Sequence, residues 1–106
     1  MASQERTALV VSGATSGNNT LLAAVSGSAI RVLSYTLVAA GSVTVRFESG
    51  ASGTALTGVM SLIAGVPLVV NLEREGHFQT AVSTLLNMEL SAGTQVSGHI
   101  TYCLVG

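Results

Sequence analysis

The stretch from Ile30 to Ser49 constrains the fold of this chain more than any other. Its second half alternates strictly between apolar and polar residues, which is the period of a strand with one buried and one solvated face. The first half also has the composition of a strand, and a tight turn at residues 39–42 separates the two halves. The stretch therefore predicts a central hairpin. The apolar positions of the second strand are Val43, Val45 and Phe47, and the polar positions are Thr44, Arg46 and Glu48.

The first strand of this stretch carries large apolar groups on both faces. Alternation places Ile30, Val32 and Val38 on one side and Leu33, Tyr35 and Leu37 on the other. Such a pattern is typical of a strand that is covered on both sides. We therefore expect one face to meet the core of the domain and the other to meet a partner. For Tyr35 we expect contact with a neighbouring subunit first and burial in the core second, ahead of stacking on a sugar.

Short β-type segments follow one another along the whole chain, with turn signals about every ten residues and no sustained helical period. This pattern predicts an all-β fold, a β-sandwich or jelly roll of about eight short antiparallel strands. We expect residues 1–6 to form an N-terminal arm and residues 7–106 a single β-sandwich domain. The other predicted strands are residues 7–12, 19–25, 67–72, 77–82, 85–90 and 96–105. For residues 56–63 the β-branched and glycine content favours a strand or irregular structure over a short helix.

The composition is unusual for a domain of 106 residues. Hydrophobic residues make up 48% and charged residues only 8%, against roughly 25% charged in an ordinary domain. Low charge and a net charge of −1 favour association, so a homo-oligomer or a docking surface on a larger assembly is expected. Four arginines without a lysine argue against nucleic-acid binding, which needs several cations on one face.

Two features of the sequence bear on redox chemistry and on membranes. Cys103 is the only cysteine, which excludes an intrachain disulfide and predicts a small buried residue, with an interchain disulfide or a reactive thiol as alternatives. Residues 55–72 are uncharged and long enough to raise a membrane span. The turn-like sequence at residues 64–67 instead predicts two short strands. The first residues lack the continued apolar run of a secretory signal.

Residues for catalysis or metal binding are few. Glu75, His77 and His99 are the one metal-ligand set that the sequence offers, and the favoured interpretation is that both histidines are ordinary surface or interface residues. No serine lies in a nucleophile-elbow motif. The sequence therefore predicts no enzyme, no metal and no cofactor. Residues 73–76, Glu-Arg-Glu-Gly, are expected to form an exposed turn.

Residues 18–58 carry four motifs: Asn-Thr-Leu, Ile-Arg-Val-Leu-Ser-Tyr, Val-x-Val-x-Phe-x-Ser-Gly and Gly-Thr-x-Leu-Thr-Gly. In these motifs the chain resembles small proteins encoded among the structural genes of tailed bacteriophages. The resemblance implies a capsid cement or decoration protein, made in the bacterial cytoplasm and located on the outer surface of the virion. Such proteins are jelly-roll domains, usually trimeric, that clamp neighbouring major capsid proteins. The family has no catalytic residues to carry over.

The expected partners are other copies of this chain, as a homotrimer, and the phage major capsid protein, without nucleic acid or membrane. The alternative is a phage tail or fibre module that binds a host surface glycan. A small hydrolase is a third hypothesis, and the missing catalytic constellation argues against it. We expect the arm to be ordered by contact with the shell or a neighbour. The candidate contacts are Ser3, Gln4, Glu5, Arg6, Arg31, Tyr35 and Leu37.

Overall fold

The computed structural model describes residues 5–106, and every regular element in this range is a β-strand. Most of the predicted arm, including the candidate contacts Ser3 and Gln4, lies outside the described residues. The strands are β1 (Thr7–Gly13), β2 (Gly17–Leu22), β3 (Ala29–Ala39), β4 (Val43–Ser49), β5 (Thr54–Ala55), β6 (Met60–Leu62), β7 (Leu68–Val70), β8 (Phe78–Gln79), β9 (Leu86–Leu90) and β10 (Val96–Val105).

The strands form two antiparallel sheets that enclose one core. The front sheet has the order β1-β10-β3-β7, with β8 also paired to β3. The back sheet has the order β2-β9-β4-β5, with β6 also paired to β4. The predicted all-β sandwich is therefore confirmed, and the finer jelly-roll arrangement stays a prediction.

The two strands of the predicted central hairpin exist, but they do not pair with each other. β3 lies in the front sheet and β4 in the back sheet, so residues 40–42 carry the chain across the core. The prediction of a hairpin is wrong because both edges of β3 are already occupied, one by β10 and the other by β7 and β8. What the alternation did indicate correctly is that both strands turn an apolar face to the core.

One extra residue interrupts the pairing of β3 with β10. Val32 lies opposite Tyr102 and Ser34 lies opposite Thr101, so Leu33 has no opposing residue. This is a β-bulge, in which two residues of one strand face one residue of the other. Because side chains alternate with a period of two, the extra residue reverses which positions face the core.

Because of the bulge, β3 does not carry its two groups of large apolar side chains on opposite faces, so its sequence pattern no longer indicates a partner on the second face. Ile30 and Val32 before the bulge, and Tyr35 and Leu37 after it, all belong to the same buried cluster between the sheets. The expectation that the two groups point to opposite faces is wrong. The side chains of Ile30, Val32, Tyr35 and Leu37 are covered by their own domain.

Aromatic rings mark the centre of the core. Tyr35 of the front sheet meets Phe47 of the back sheet edge to face, with 5.1 Å between ring centroids, and Phe47 stacks on Phe78 at 5.3 Å. Cys103 is buried, as predicted. The back sheet also contributes Val45, Leu86, Met88 and Leu90, and the front sheet Val11, Val96 and Ile100.

The part of the chain between β4 and β9 contains less regular structure than the sequence predicts. β6, β7 and β8 are two or three residues long, shorter than the segment at residues 56–63 and the predicted strands at residues 67–72 and 77–82. β2 begins and ends earlier than predicted, while β10 has the predicted bounds. The turn between β6 and β7 is confirmed. No helix among residues 5–106 is long and apolar enough to cross a membrane.

Candidate partner-binding surface

Three of the predicted contact residues lie at the surface in this fold. Glu5 and Arg6 are exposed just before β1. Arg31 of β3 is half-buried, and its Nε donates a hydrogen bond to Oε1 of Gln79 on the neighbouring strand at 2.9 Å. Its aliphatic stem lies close to Gly76, where a Cβ would meet Arg31 Cγ and Cδ. The guanidinium is therefore held at the side of the front sheet, next to the exposed turn at residues 73–76 that the sequence predicts.

Tyr35 and Leu37 are not available to a partner. Leu37 is fully buried and Tyr35 is 7% exposed. The Tyr35 hydroxyl donates to Sδ of Met60 at 3.7 Å, and burial raises the pKa of Tyr35 because the phenolate would lose its hydration. The expectation that they contact a neighbour is wrong, since the bulge at Leu33 turns both into the core.

The central row of the outer face of the front sheet contains no arginine, lysine or acidic residue. Val10 of β1, His99 of β10, Thr36 of β3 and Val69 of β7 lie opposite one another in one row across four strands. The two valines at the ends of this row are 77% and 58% exposed. We call this surface the outer face. The positions beside the row are small or uncharged as well: Ala8, Ser12, Ser34, Val38, Ser97 and Thr101.

The outer face ends at an exposed sheet edge. β1 is seven residues long and pairs without a register shift to β10, and no other strand of the described part of the chain pairs with it. It contains no proline and no charged residue. The other edge strands are protected, since β5 to β8 are only two or three residues long and β2 carries a register shift. Alternation along the sequence does not predict this edge, although the uncharged run TALVVSG is a signal for it.

A polar network lies on the outer side of the back sheet. Sequence alternation predicts Glu48 on the solvated face, yet its side chain is only 1% exposed. Arg46 contacts Oε2 of Glu48 through both Nε and Nη2 at 2.7 Å. Asn87 Nδ2 donates to Oε1 of Glu48 at 2.9 Å. The carboxylate is thus paired and hydrogen-bonded, which is the condition for burying a charge.

The loop of residues 50–53 covers this network. The backbone amide of Ser52 donates to Oδ1 of Asn18 at 3.0 Å, and Asn18 Nδ2 donates back to the Ser52 hydroxyl at 3.0 Å. Asn18 Oδ1 also accepts a bond from Asn87 Nδ2 at 2.9 Å. Ser52 adopts a left-handed backbone with φ of 52°, a strained conformation that these two bonds hold in place. The network therefore ties the loop of residues 50–53 to β2 and β9 and shields the Glu48 carboxylate from water.

A shallow groove lies beside the network. It has a volume of about 200 Å³ and is lined by Thr44, Val45, Arg46, Val59, Glu89 and Ser91. Pockets for small ligands usually measure about 300–1,000 Å³ and enclose most of the ligand. The groove is smaller and open, so we do not assign a ligand to it.

The only metal-ligand set that the sequence offered is not assembled. His77 is exposed and its Nε2 lies 2.9 Å from the carbonyl oxygen of Asn71, while His99 lies in the row of the outer face. Among residues 5–106 no group of three or more histidine, cysteine or acidic side chains is placed to hold a metal ion.

No protein-family model, no curated protein and no solved structure matches this chain.

Proposed function

We propose that this chain is a phage virion structural protein, a capsid cement or decoration protein that binds the shell of major capsid protein and stabilises it as a homo-oligomer. The trimer is the form that the resemblance implies. The observation that carries the proposal is the outer face, where Val10 and Val69 are exposed at the two ends of a row that contains no arginine, lysine or acidic residue. Exposed apolar groups on a surface of low charge are typical of protein–protein contacts.

The residues that carry the resemblance agree with this proposal because they build the sandwich. Asn-Thr-Leu lies in β2, Ile-Arg-Val-Leu-Ser-Tyr in β3 and Val-x-Val-x-Phe-x-Ser in β4. The apolar members of the β3 and β4 motifs are buried. Asn19 of the first motif donates hydrogen bonds to the backbone carbonyls of residues 15, 17 and 88. The likeness is therefore one of fold-building residues, which supports a shared architecture for shell binding.

Stabilisation of the shell would be additive. Each copy buries on the order of 1,000 Å² against its neighbours, as specific interfaces do. Many symmetric copies then oppose outward pressure together, although each contact is modest. Such a role needs a binding surface of fixed shape. The aromatic rings packed across the core hold the two sheets together, which favours such a surface.

The glycan-binding alternative has less support from the side chains. Tyr35 and Phe47 are buried and Phe78 packs against the core, so these three rings form no exposed platform for a sugar. A tail or fibre module is therefore the second candidate and serves as one outcome of the test.

The test compares binding of the purified protein to empty capsids and to host cells. We expect saturable binding to capsids and a loss of at least about tenfold in affinity for Val69→Glu, which places a charge on the outer face. Val59→Glu is the matched control, because Val59 is 61% exposed but lines the groove of the back sheet. Binding to host cells without binding to capsids would favour the glycan alternative. Equal capsid binding by both variants would show that the outer face is not the contact.

A further inference from the structure

The direction of the backbone groups along β1 follows from one hydrogen bond at the end of β10. The amide of Ala40 donates to the carbonyl of Gln95 at 2.9 Å, so Gln95 bonds towards β3. Bonding direction alternates along a strand. Ser97, His99 and Thr101 therefore also bond towards β3. The alternate residues of β10, which are Val96, Gly98, Ile100 and Tyr102, bond towards β1.

The same alternation assigns the residues of β1. Its members opposite Val96, Gly98, Ile100 and Tyr102 bond to β10. The three residues between them, Ala8, Val10 and Ser12, direct their N–H and C=O groups away from the sheet. All three are exposed. The edge thus offers three donors and three acceptors in an extended array with no strand beside it in the described part of the chain.

This array is complementary to itself. If two copies of β1 run antiparallel with Val10 opposite Val10, then Ala8 lies opposite Ser12 in both directions. Every outward-directed residue then meets another outward-directed residue, and about six backbone hydrogen bonds form. The exposed side chains of the two Val10 residues meet on the outer face, where each buries apolar area against the other.

No other edge of the described structure fits β1 equally well. β5 to β8 match at most three of its seven residues, and β2 is bulged. Charge does not oppose the pairing of two copies either. In this register Arg6 lies opposite Ala14 and Glu5 opposite Thr15, so no like charges face each other.

We propose that β1 is a homotypic interface, through which two copies of this chain pair antiparallel about a two-fold axis at Val10 and join their front sheets into one continuous sheet. The pairing does not require the proposed binding to the shell, although Val10 belongs to both surfaces. It is isologous and joins two chains at a time. If the three-fold contact implied by the resemblance also exists, the two contacts together give an even number of copies.

The first experiment is a cross-link in the isolated protein, without capsids. Directly opposed residues of a bonded antiparallel pair have Cα atoms about 5.5 Å apart, which is within disulfide reach. We expect Val10→Cys to form disulfide-linked pairs under mild oxidation, seen as two joined chains on a denaturing gel. Val69→Cys is the matched control, because this valine lies in the same row at the opposite side of the sheet. The unmodified protein, whose Cys103 is buried, controls for the native thiol.

The second experiment measures solution mass by light scattering over a dilution series. We expect an even number of copies for the wild type and half that number for Val10→Lys, since two lysines would then oppose each other at the axis. Val69→Lys should keep the wild-type mass. Because Val10 is 77% exposed, Val10→Lys should unfold at the same temperature as the separated wild-type chain.

The results separate this proposal from shell binding. Linked pairs for Val10→Cys with none for Val69→Cys, together with the halved mass of Val10→Lys, support the interface. A monomer or a trimer as the largest species, equal cross-linking of the two cysteine variants, or an unchanged mass for Val10→Lys would overturn it. If the edge instead binds a strand of a different protein, the isolated chain would give a monomer or a trimer as its largest species. None of these measurements depends on whether the protein binds capsids.

Discussion

Arg46 and Glu48 sit two residues apart on one strand and form a salt bridge of 2.7 Å in which the cation is 38% exposed and the carboxylate 1%. The carboxylate depends on its two donors, Arg46 and Asn87, because almost none of it reaches water. Breaking a buried pair on one side costs more than the pair contributes as a whole, since the remaining charge has no partner.

Arg46→Ala should therefore lower the free energy of unfolding by about 2 kcal/mol, less than for a fully buried pair because the arginine is partly solvated. Urea denaturation measures this loss. Arg74→Ala is the control, since Arg74 lies in an exposed turn and should change stability by less than about 0.5 kcal/mol. Adding Glu48→Gln to Arg46→Ala should recover part of the loss. Equal stability of the two single variants would contradict the structural role of the pair.

Because of the bulge, we expect that one buried residue can be deleted from β3 without loss of the fold. Without Leu33 the strand alternates strictly, and Ile30, Val32, Tyr35 and Leu37 all face one side of a regular ladder. Deletion of Leu33 should leave the fold intact and lower the free energy of unfolding by about 2–4 kcal/mol, because one buried leucine side chain is lost.

Deletion of Thr36 is the matched control for that experiment. It would bring Tyr35 and Leu37 next to each other in the strand and direct one of them out of the core. We expect no cooperative thermal transition for this variant, whereas the Leu33 deletion retains one by circular dichroism. Loss of folding in both variants would show that the bulge is required by the architecture.

Gly98 should tolerate no side chain. Its φ is 150°, and a Cβ built on it would overlap the carbonyl oxygen of Thr36 on the neighbouring strand. Gly98→Ala should therefore lower the free energy of unfolding by more than about 3 kcal/mol, as strain in a central ladder does. Gly58→Ala is the control, because nothing lies within 4 Å of its added Cβ. Thermal unfolding compares the midpoint temperatures of the two variants. Similar midpoints would refute the steric argument.

Tyr35 should make the protein sensitive to alkaline pH. Its pKa is raised by burial, so the folded state holds the phenolic proton more tightly than the unfolded state does. The resulting stability is complete below the ordinary pKa of about 10 and is lost as the pH rises through the raised value. The free energy of unfolding of the wild type should therefore fall more steeply above about pH 10 than that of Tyr35→Phe. Urea titrations at about pH 8 and pH 11 compare the two slopes. Parallel losses in both proteins would mean that Tyr35 does not contribute.

Local patterns predicted the strands better than their pairing. The alternation of β4 and the turn-separated apolar runs of β9 and β10 are short-range signals, and the structure confirms all three strands. Whether β4 pairs with β3 or lies across the core from it depends on which strands occupy the edges of β3, and those strands come from distant parts of the chain.

The predictions for the surface were less successful for a related physical reason. A single extra residue, Leu33, reverses alternation without any trace in composition, so strict alternation predicts a partner contact for Tyr35 and Leu37 that the structure does not allow. Alternation predicts a solvated Glu48, because burial of its charge requires Asn18, Asn87 and the loop at residues 50–53, which no local pattern connects. The edge at β1 was missed because an unprotected strand is recognised only once its neighbours are known.

The position of β10 between β1 and β3 has a consequence for how the protein is made. During synthesis β1 and β3 emerge early, but neither can enter the finished front sheet until Val96–Val105 has left the ribosome. Until then each strand has unpaired backbone N–H and C=O groups that can bond to any extended chain nearby. Wrong pairing between nascent chains is therefore most frequent on crowded polysomes. Fast translation of the last strand, or a chaperone that shields the first, would then set the yield of native protein.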